Sequence, residues 1–256
     1  SVNVAHNLAS LYFRAFDEKF VEEIRSYTIN YFRKILSNLG WEPRKSDKYT
    51  DALLRSFAIS ALGKMNDDSV TDIAIEKYKK FLKSPRSLSP DLIEPICSIA
   101  AWNGNSKTFN ELKKLYTNSK TMEEKIRFLG AMCGFQDKKL LAKTLDFSQT
   151  SEVRSQNMQL PIMKIAANPY GDKILWPWLK KNWKKINKKV GHGNPLFNRI
   201  VASIAGVADD SMENEIKLFF KNNPTPGTER TQKQTLERIR INSKFLRVMR
   251  KEFKNG

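Results

Sequence analysis

Apolar residues recur along this chain at spacings of three and four, and no sustained period-two alternation occurs. That pattern predicts amphipathic α-helices throughout. The stretch Glu18 to Leu39 sets Val21, Ile24, Tyr27, Ile29, Tyr31, Phe32, Ile35, Leu36 and Leu39 mostly on one side. Gly40 ends it, as a residue free to take a left-handed backbone. Asp47 to Met65 follows, with Leu53, Leu54, Phe57, Ala58, Ala61 and Leu62 as its stripe. Asp67 or Asp68 then caps a helix reaching Leu82. Ser89 caps the next, with Pro90 at its first helical position.

The same spacing predicts helices over 90–102, 105–117, 121–134 and 136–146, with Thr121 and Glu124 forming a capping box. Thr150 or Ser151 opens a further helix to Asn168, and Asn168-Pro-Tyr-Gly171 forms a turn. Helices over 172–189, 195–206, 210–222 and 229–252 complete the chain. Short loops between such helices imply antiparallel neighbours, and pairs begin every 29 to 45 residues or so, the range of HEAT and armadillo repeats. The expected fold is therefore all-α, an irregular solenoid of antiparallel helix pairs, with a plain helical bundle as the alternative. Residues 1–256 are expected to form one helical-repeat domain, with 1–16 as part of a first pair.

Composition narrows the function classes. Cys97 and Cys133 are the only cysteines, and both sit in apolar runs, which excludes a disulfide scaffold and suits buried thiols in a reducing compartment such as the cytoplasm. The longest uncharged stretch, Pro95 to Ser106, is far shorter than the ~20 residues of a membrane span, so no membrane partner is expected. The chain opens Ser-Val-Asn-Val, which suggests a cut terminus. His6 and His192 are the only histidines, and neither belongs to a zinc or nucleophile motif. Phosphate loops and nucleophile elbows are absent. The paired carboxylates Glu22-Glu23, Asp67-Asp68, Glu123-Glu124 and Asp209-Asp210 fall mostly at expected helix starts, where capping explains them. No residue set here is expected to run a reaction unaided.

The formal charge is +18, of which a net +11 lies in residues 172–256. Lysines at 180, 181, 184, 185, 188 and 189 cover half of one helix, with Leu179, Trp183, Ile186 and Val190 opposite and Trp178 on the lysine side. In the last helix Leu236, Ile239, Leu246 and Met249 pack, while Arg238, Arg240, Lys244, Arg247, Arg250 and Lys251 stand outside or line a concavity. Three readings stay open: a solvated face, a phosphate-tracking surface, or a positive wall that attracts peptide carboxylates. The aromatics follow the apolar stripes rather than the basic ones, which counts against nucleic acid.

One run carries a family resemblance. Asn168-Pro-Tyr-Gly171-Asp-Lys-Ile-Leu-Trp176-Pro-Trp178-Leu-Lys-Lys-Asn182-Trp183 resembles a stretch in the helical domain of zinc aminopeptidases. These are the aminopeptidase N, puromycin-sensitive and endoplasmic-reticulum aminopeptidase group, with the archaeal tricorn-interacting factors. Leu39-Gly40-Trp41, Leu53-Leu54-Arg55 and Glu152-Val-Arg154-Ser-Gln156-Asn157 resemble further family segments. So do Asp210-Ser-Met-Glu213-Asn-Glu215-Ile216-Lys-Leu-Phe219-Phe220 and Gln234-Thr-Leu236-Glu237-Arg-Ile239-Arg-Ile-Asn242. Their order and spacing extend the likeness over roughly residues 8–250.

Two departures stand out: Pro177 implies a late or kinked helix start, and Lys244-Phe245 replaces a tryptophan common in relatives. The family's G-x-M-E-N loop, H-E-x-x-H-x18-E zinc site, catalytic tyrosine and small β-sandwich are not in this sequence. The resemblance thus implies a C-terminal fragment or excised domain, non-catalytic by itself. Its implied role is as a bowl that closes over a zinc site held elsewhere and receives the far end of a peptide. Its implied partners are peptides and the catalytic domain of the same polypeptide. The alternative is a basic helical module that binds nucleic acid or an acidic protein. Arg127, Arg154 and Arg238 are the candidate peptide contacts, each weighed against an inter-helix salt bridge. Trp176, Trp183, Phe219 and Phe220 are expected in the core.

Overall fold

The computed structural model describes residues 2–15, 18–191 and 194–253. The side chain of His6 and all of His192 lie outside the described residues. Those residues form thirteen α-helices and no strand. The fold is all-α. Two compact units divide it, residues 1–136 and 137–256.

The first unit holds α1 (Val2–Arg14), α2 (Val21–Leu39), α3 (Tyr49–Lys64), α4 (Asp68–Lys83), α5 (Pro90–Trp102), α6 (Ser106–Asn118) and α7 (Met122–Ala131). α1, α3, α5 and α7 touch in succession, and α2, α4 and α6 each pack beside the odd helices that flank them. Such a two-layer row is what stacked helix pairs produce, because no single pair can bury its own apolar face. α5 sits centrally. Leu92 and every residue from Pro95 to Trp102 are buried, and a helix apolar nearly all round must be enclosed on all sides.

Local chemistry sets the helix ends. The Asp67 carboxylate accepts the Val70 amide at 3.1 Å, and Thr121 and Glu124 close the expected capping box. Gly40 ends α2 at φ +67°, a backbone that a side chain disfavours. The Leu39-Gly40 and Leu53-Leu54-Arg55 segments then meet. Arg55, 1% exposed, donates from Nε to the Gly40 carbonyl at 3.0 Å and from Nη2 to that of Leu39 at 3.1 Å. The same guanidinium pairs with Asp47. Two segments fifteen residues apart in sequence are thus one clamp on the carbonyl end of α2. Not all of the predicted stripe is buried, since Tyr27 is 66% and Leu53 43% exposed.

The second unit holds α8 (Lys138–Ser148), α9 (Gln159–Ala166), α10 (Asp172–Val190), α11 (Leu196–Ser203), α12 (Glu213–Asn222) and α13 (Glu229–Glu252). α9, α11 and α13 form one row, and α10 packs on α8 and α9. Aromatic rings tie α10 to α11 and α12. Trp183 lies edge-on to Phe197, Phe219 and Phe220 with centroids 5.3–5.7 Å apart, and Trp176 meets Phe219 at 5.0 Å. Trp176, Trp183 and Phe220 are buried as expected, and Phe219 is half-buried.

Three expectations change here. The helix predicted from Thr150 to Asn168 is α9 alone, preceded by a connector and a 3₁₀ turn over Ser155–Asn157. The reason is that Thr150 bonds backward, its hydroxyl donating to the Phe147 carbonyl at 2.8 Å, so it closes α8 rather than opening a helix. Trp178 is buried, not on the lysine face, because its indole N–H donates to Asp146 on α8 at 2.8 Å. α10 starts five residues before Pro177 and continues through it. The start is early because Asn168 caps the 3₁₀ turn Pro169–Gly171, which leads straight into the helix. Gly171 makes that entry possible, since a Cβ there would sit 2.0 Å from the Ile165 carbonyl oxygen.

Gly171→Ala should therefore cost about 2–3 kcal/mol, read as a lower urea midpoint by circular dichroism. Arg55→Met leaves the Leu39 and Gly40 carbonyls unpaired and should cost about 2–4 kcal/mol in the same measurement. Acid should weaken the fold through Glu213, whose carboxyl is held at about 2 by hydrogen bonds from Arg240 and Lys217. A carboxylate depressed in the folded state adds stability above its unfolded value, near 4.5, and loses it as pH falls towards about 2. Glu213→Gln should flatten the drop in urea midpoint between pH 5 and 3.

Candidate functional site

The segment from Gln234 to Asn242 divides along two faces of α13. Ile239 is fully buried, Leu236 is half-buried, and the Asn242 amide donates to the Ala205 carbonyl at 3.1 Å. These residues seat the helix on α11 and the 3₁₀ turn that follows it. Gln234, Glu237, Arg238 and Ile241 fall at the i, i+3, i+4, i+7 spacing of the other face. With Thr231, Thr235 and Ala202 they line a cleft of about 450 Å³.

The cleft's polar groups differ in what they have left to offer. Thr231 donates to Asn198 Oδ1 at 2.5 Å, and the Thr235 hydroxyl donates to the Thr231 carbonyl at 2.7 Å, so both hydroxyl protons are engaged. Gln234 and Arg238 are exposed and make no bond to another side chain or carbonyl of the described residues. Glu237 lies close enough to Arg240 to feel its charge. A guanidinium, an amide and a carboxylate thus converge over the apolar atoms of Ala202 and Ile241. That set can take a carboxylate at Arg238, a peptide amide at Gln234 and a cationic group at Glu237.

The other two candidate arginines stand elsewhere. Arg127 belongs to the first unit and pairs within α7 to Glu123 at 2.5 Å, a contact inside one helix rather than between helices. Arg154 is not early in a helix. It is exposed on the connector between α8 and α9, just before the 3₁₀ turn, and does not line the α13 cleft.

Periodicity alone missed what fixes that connector. Lys189, grouped by projection with the wet lysines of α10, donates to the carbonyls of Thr150 at 2.8 Å, Val153 at 2.9 Å and Ser148 at 3.1 Å. Burial lowers its pKa below the ordinary lysine value. Its i, i+3 relation to Ile186 and its place beside Val190 at the apolar border were the available signal. Asp209, Asp210 and Glu213 likewise serve structure: Asp209 caps the 3₁₀ turn ahead of α12, Asp210 pairs with Arg247, and Glu213 takes both Nε and Nη2 of Arg240.

Among the described residues no group of three or more His, Cys, Asp or Glu side chains could hold a metal ion. Zinc therefore finds no fitting ligand set in them. Fold and site together define an all-α protein with a polar cleft on α13 and, among the described residues, no group that could hold a metal ion.

Residues 2–241 match the family described as the ERAP1-like C-terminal domain. The chain is 26% identical over 238 residues to Aminopeptidase M1-B of Oryza sativa subsp. japonica, covering 90% of this chain and 27% of that protein. It is 25% identical over 241 residues to Aminopeptidase M1 of Arabidopsis thaliana, covering 92% and 27%. It is 24% identical over 231 residues to the alanine/arginine aminopeptidase of Saccharomyces cerevisiae, covering 90% and 27%. The chain belongs to the ERAP1-like C-terminal domain family. It spans about a quarter of the length of these relatives.

Lys189→Met should free the connector without unfolding the unit. Amide exchange over residues 149–158 should rise at least about tenfold while that of α11 and α13 stays unchanged. Lys189→Arg, which keeps the charge, should recover part of the protection.

Proposed function

We propose that this chain serves as the C-terminal lid and substrate-chamber domain of a zinc-dependent aminopeptidase that removes N-terminal residues from peptides. It supplies no catalytic group in this reading. The zinc and the reacting residues belong to a catalytic domain of the same polypeptide. The observation that carries the proposal is the family match, which runs over nearly the whole chain rather than one motif. The α13 cleft supports it with a place for the end of a peptide that is not being cut. Arg238 receives the C-terminal carboxylate there, and Gln234 reads an adjacent amide. Arg127 and Arg154 are further, separate contacts for the chain of a longer peptide. Closure of such a domain excludes water and fixes the substrate, which is how a non-catalytic part contributes to rate. The buried thiols Cys97 and Cys133 support a reducing compartment, the cytoplasm.

Two measurements test this. Fluorescence anisotropy should show that a labelled nonapeptide with a free C-terminus binds about five- to tenfold more tightly than its amidated form. Arg238→Gln should abolish that difference while the urea midpoint stays unchanged, and an undiminished preference would remove Arg238 from the site. Separately, these 256 residues with added zinc should not turn over Leu- or Ala-anilide. Turnover would overthrow the non-catalytic assignment.

A further inference from the structure

α10 carries two unlike faces. Leu175, Trp176, Trp178, Leu179, Trp183 and Ile186 are buried, whereas Lys173, Lys180, Lys181, Lys184, Lys185 and Lys188 are exposed. At 100° per residue, Lys181, Lys184, Lys185 and Lys188 share an arc of about 100°. Among the described residues, only Lys180 of these six lysines meets a carboxylate, that of Glu215. Two arginines of α13 contrast with this, because Arg240 is held by Glu213 and Arg247 by Asp210. The outer arc of α10 is a row of positive charge that its own unit leaves without counter-charge.

The chemistry of the row selects its partner. Every cation is a lysine, a hydrated point charge that attracts anions without demanding a fixed geometry. No arginine fork or aromatic ring is exposed on this arc, and Pro177 is its exposed apolar side chain. Stacking on a nucleobase requires a ring or guanidinium plane, and this arc exposes neither. Residues 173 to 188 run about 22 Å along the helix. The headgroups of a fluid bilayer can gather wherever the ammonium groups stand.

We propose that the lysine row of α10 is an electrostatic docking face for an anionic phospholipid surface, one that holds the protein at a membrane without entering it. No helix of the described residues is long and apolar enough to cross a bilayer, and this mode needs none. Attraction of this kind grows with each lysine near the surface and is screened within about 8 Å at physiological salt. The proposal stands apart from the peptidase reading and does not depend on it.

Co-sedimentation of the full chain with vesicles of phosphatidylcholine, with and without about one quarter phosphatidylserine, tests it. Binding should require the anionic lipid and vanish in about 0.5 M salt. Replacing Lys181, Lys184, Lys185 and Lys188 together by Gln should lower partitioning by about 1,000-fold, with far-UV circular dichroism unchanged. A matched variant with Gln at the exposed positions Lys34, Lys79, Lys107 and Lys114 should lose less than about threefold. Equal losses in the two variants would assign binding to net charge alone and overturn the proposal. Absence of vesicle binding would overturn it as well, as would tighter binding to duplex DNA or to polyglutamate at the same salt.

Discussion

A helix leaves its last four carbonyls without partners inside itself, and a fold made of short helices meets that problem at every turn. This protein answers it repeatedly with long cationic side chains. Arg55 takes the carbonyls of Leu39 and Gly40 at the end of α2, where Arg44 also reaches Asn38. Arg25 takes those of Met65 and Asn66 after α3, at 2.8 and 3.2 Å. Lys189 takes three around the end of α8. A helix carbonyl end is negative, so a cation satisfies both its hydrogen bonds and its dipole. The contacts of Arg55, Arg25 and Lys189 also span a gap in sequence, so closing one helix fixes the place of another.

The family's recurring segments acquire a physical meaning from this. Leu39-Gly40 and Arg55 are two halves of one clamp. Asn168 and Gly171 are a cap and a close approach that allow α10 to begin directly after α9. Trp176, Trp183, Phe219 and Phe220 are the ring contacts that hold α12 to α10, with Glu215 accepting the Trp176 indole N–H at 3.0 Å. Most of what makes the chain recognisable is therefore folding chemistry. The Gln234–Asn242 segment differs, since half of it seats α13 and half faces an open cleft. Ligand-facing groups are expected among residues with spare hydrogen-bonding capacity, and Gln234 and Arg238 are of that kind.

The positive charge also changes meaning. Read as a total it suggests polyanion binding, but the structure sorts its members. Lys189 is fastened to carbonyls, Arg55 and Arg25 to carbonyls and a carboxylate each, Arg240 and Arg247 to carboxylates, and Lys181, Lys184, Lys185 and Lys188 to neither among the described residues. Net charge alone could not make that separation, because a cation is spent or spare according to what the fold brings beside it.

Helix positions were largely legible in the residues. Asp67, Thr121 and Asn168 cap as their side-chain chemistry dictates, Gly40 ends α2, and the final helix spans 229–252 as its periodicity requires. These depend on neighbours within four residues, which the sequence specifies directly. Trp178, Lys189 and the 150–158 connector depend on partners up to 41 residues away. Projection onto one helix places Trp178 and Lys189 in water, yet each is long enough for its apolar stem to be covered while its polar tip reaches a distant acceptor. Sequence by itself determined where helices form and which residue types could serve a ligand. Only tertiary structure decided which of those groups remain available, because a hydrogen bond to a remote carbonyl leaves no periodic trace along the chain.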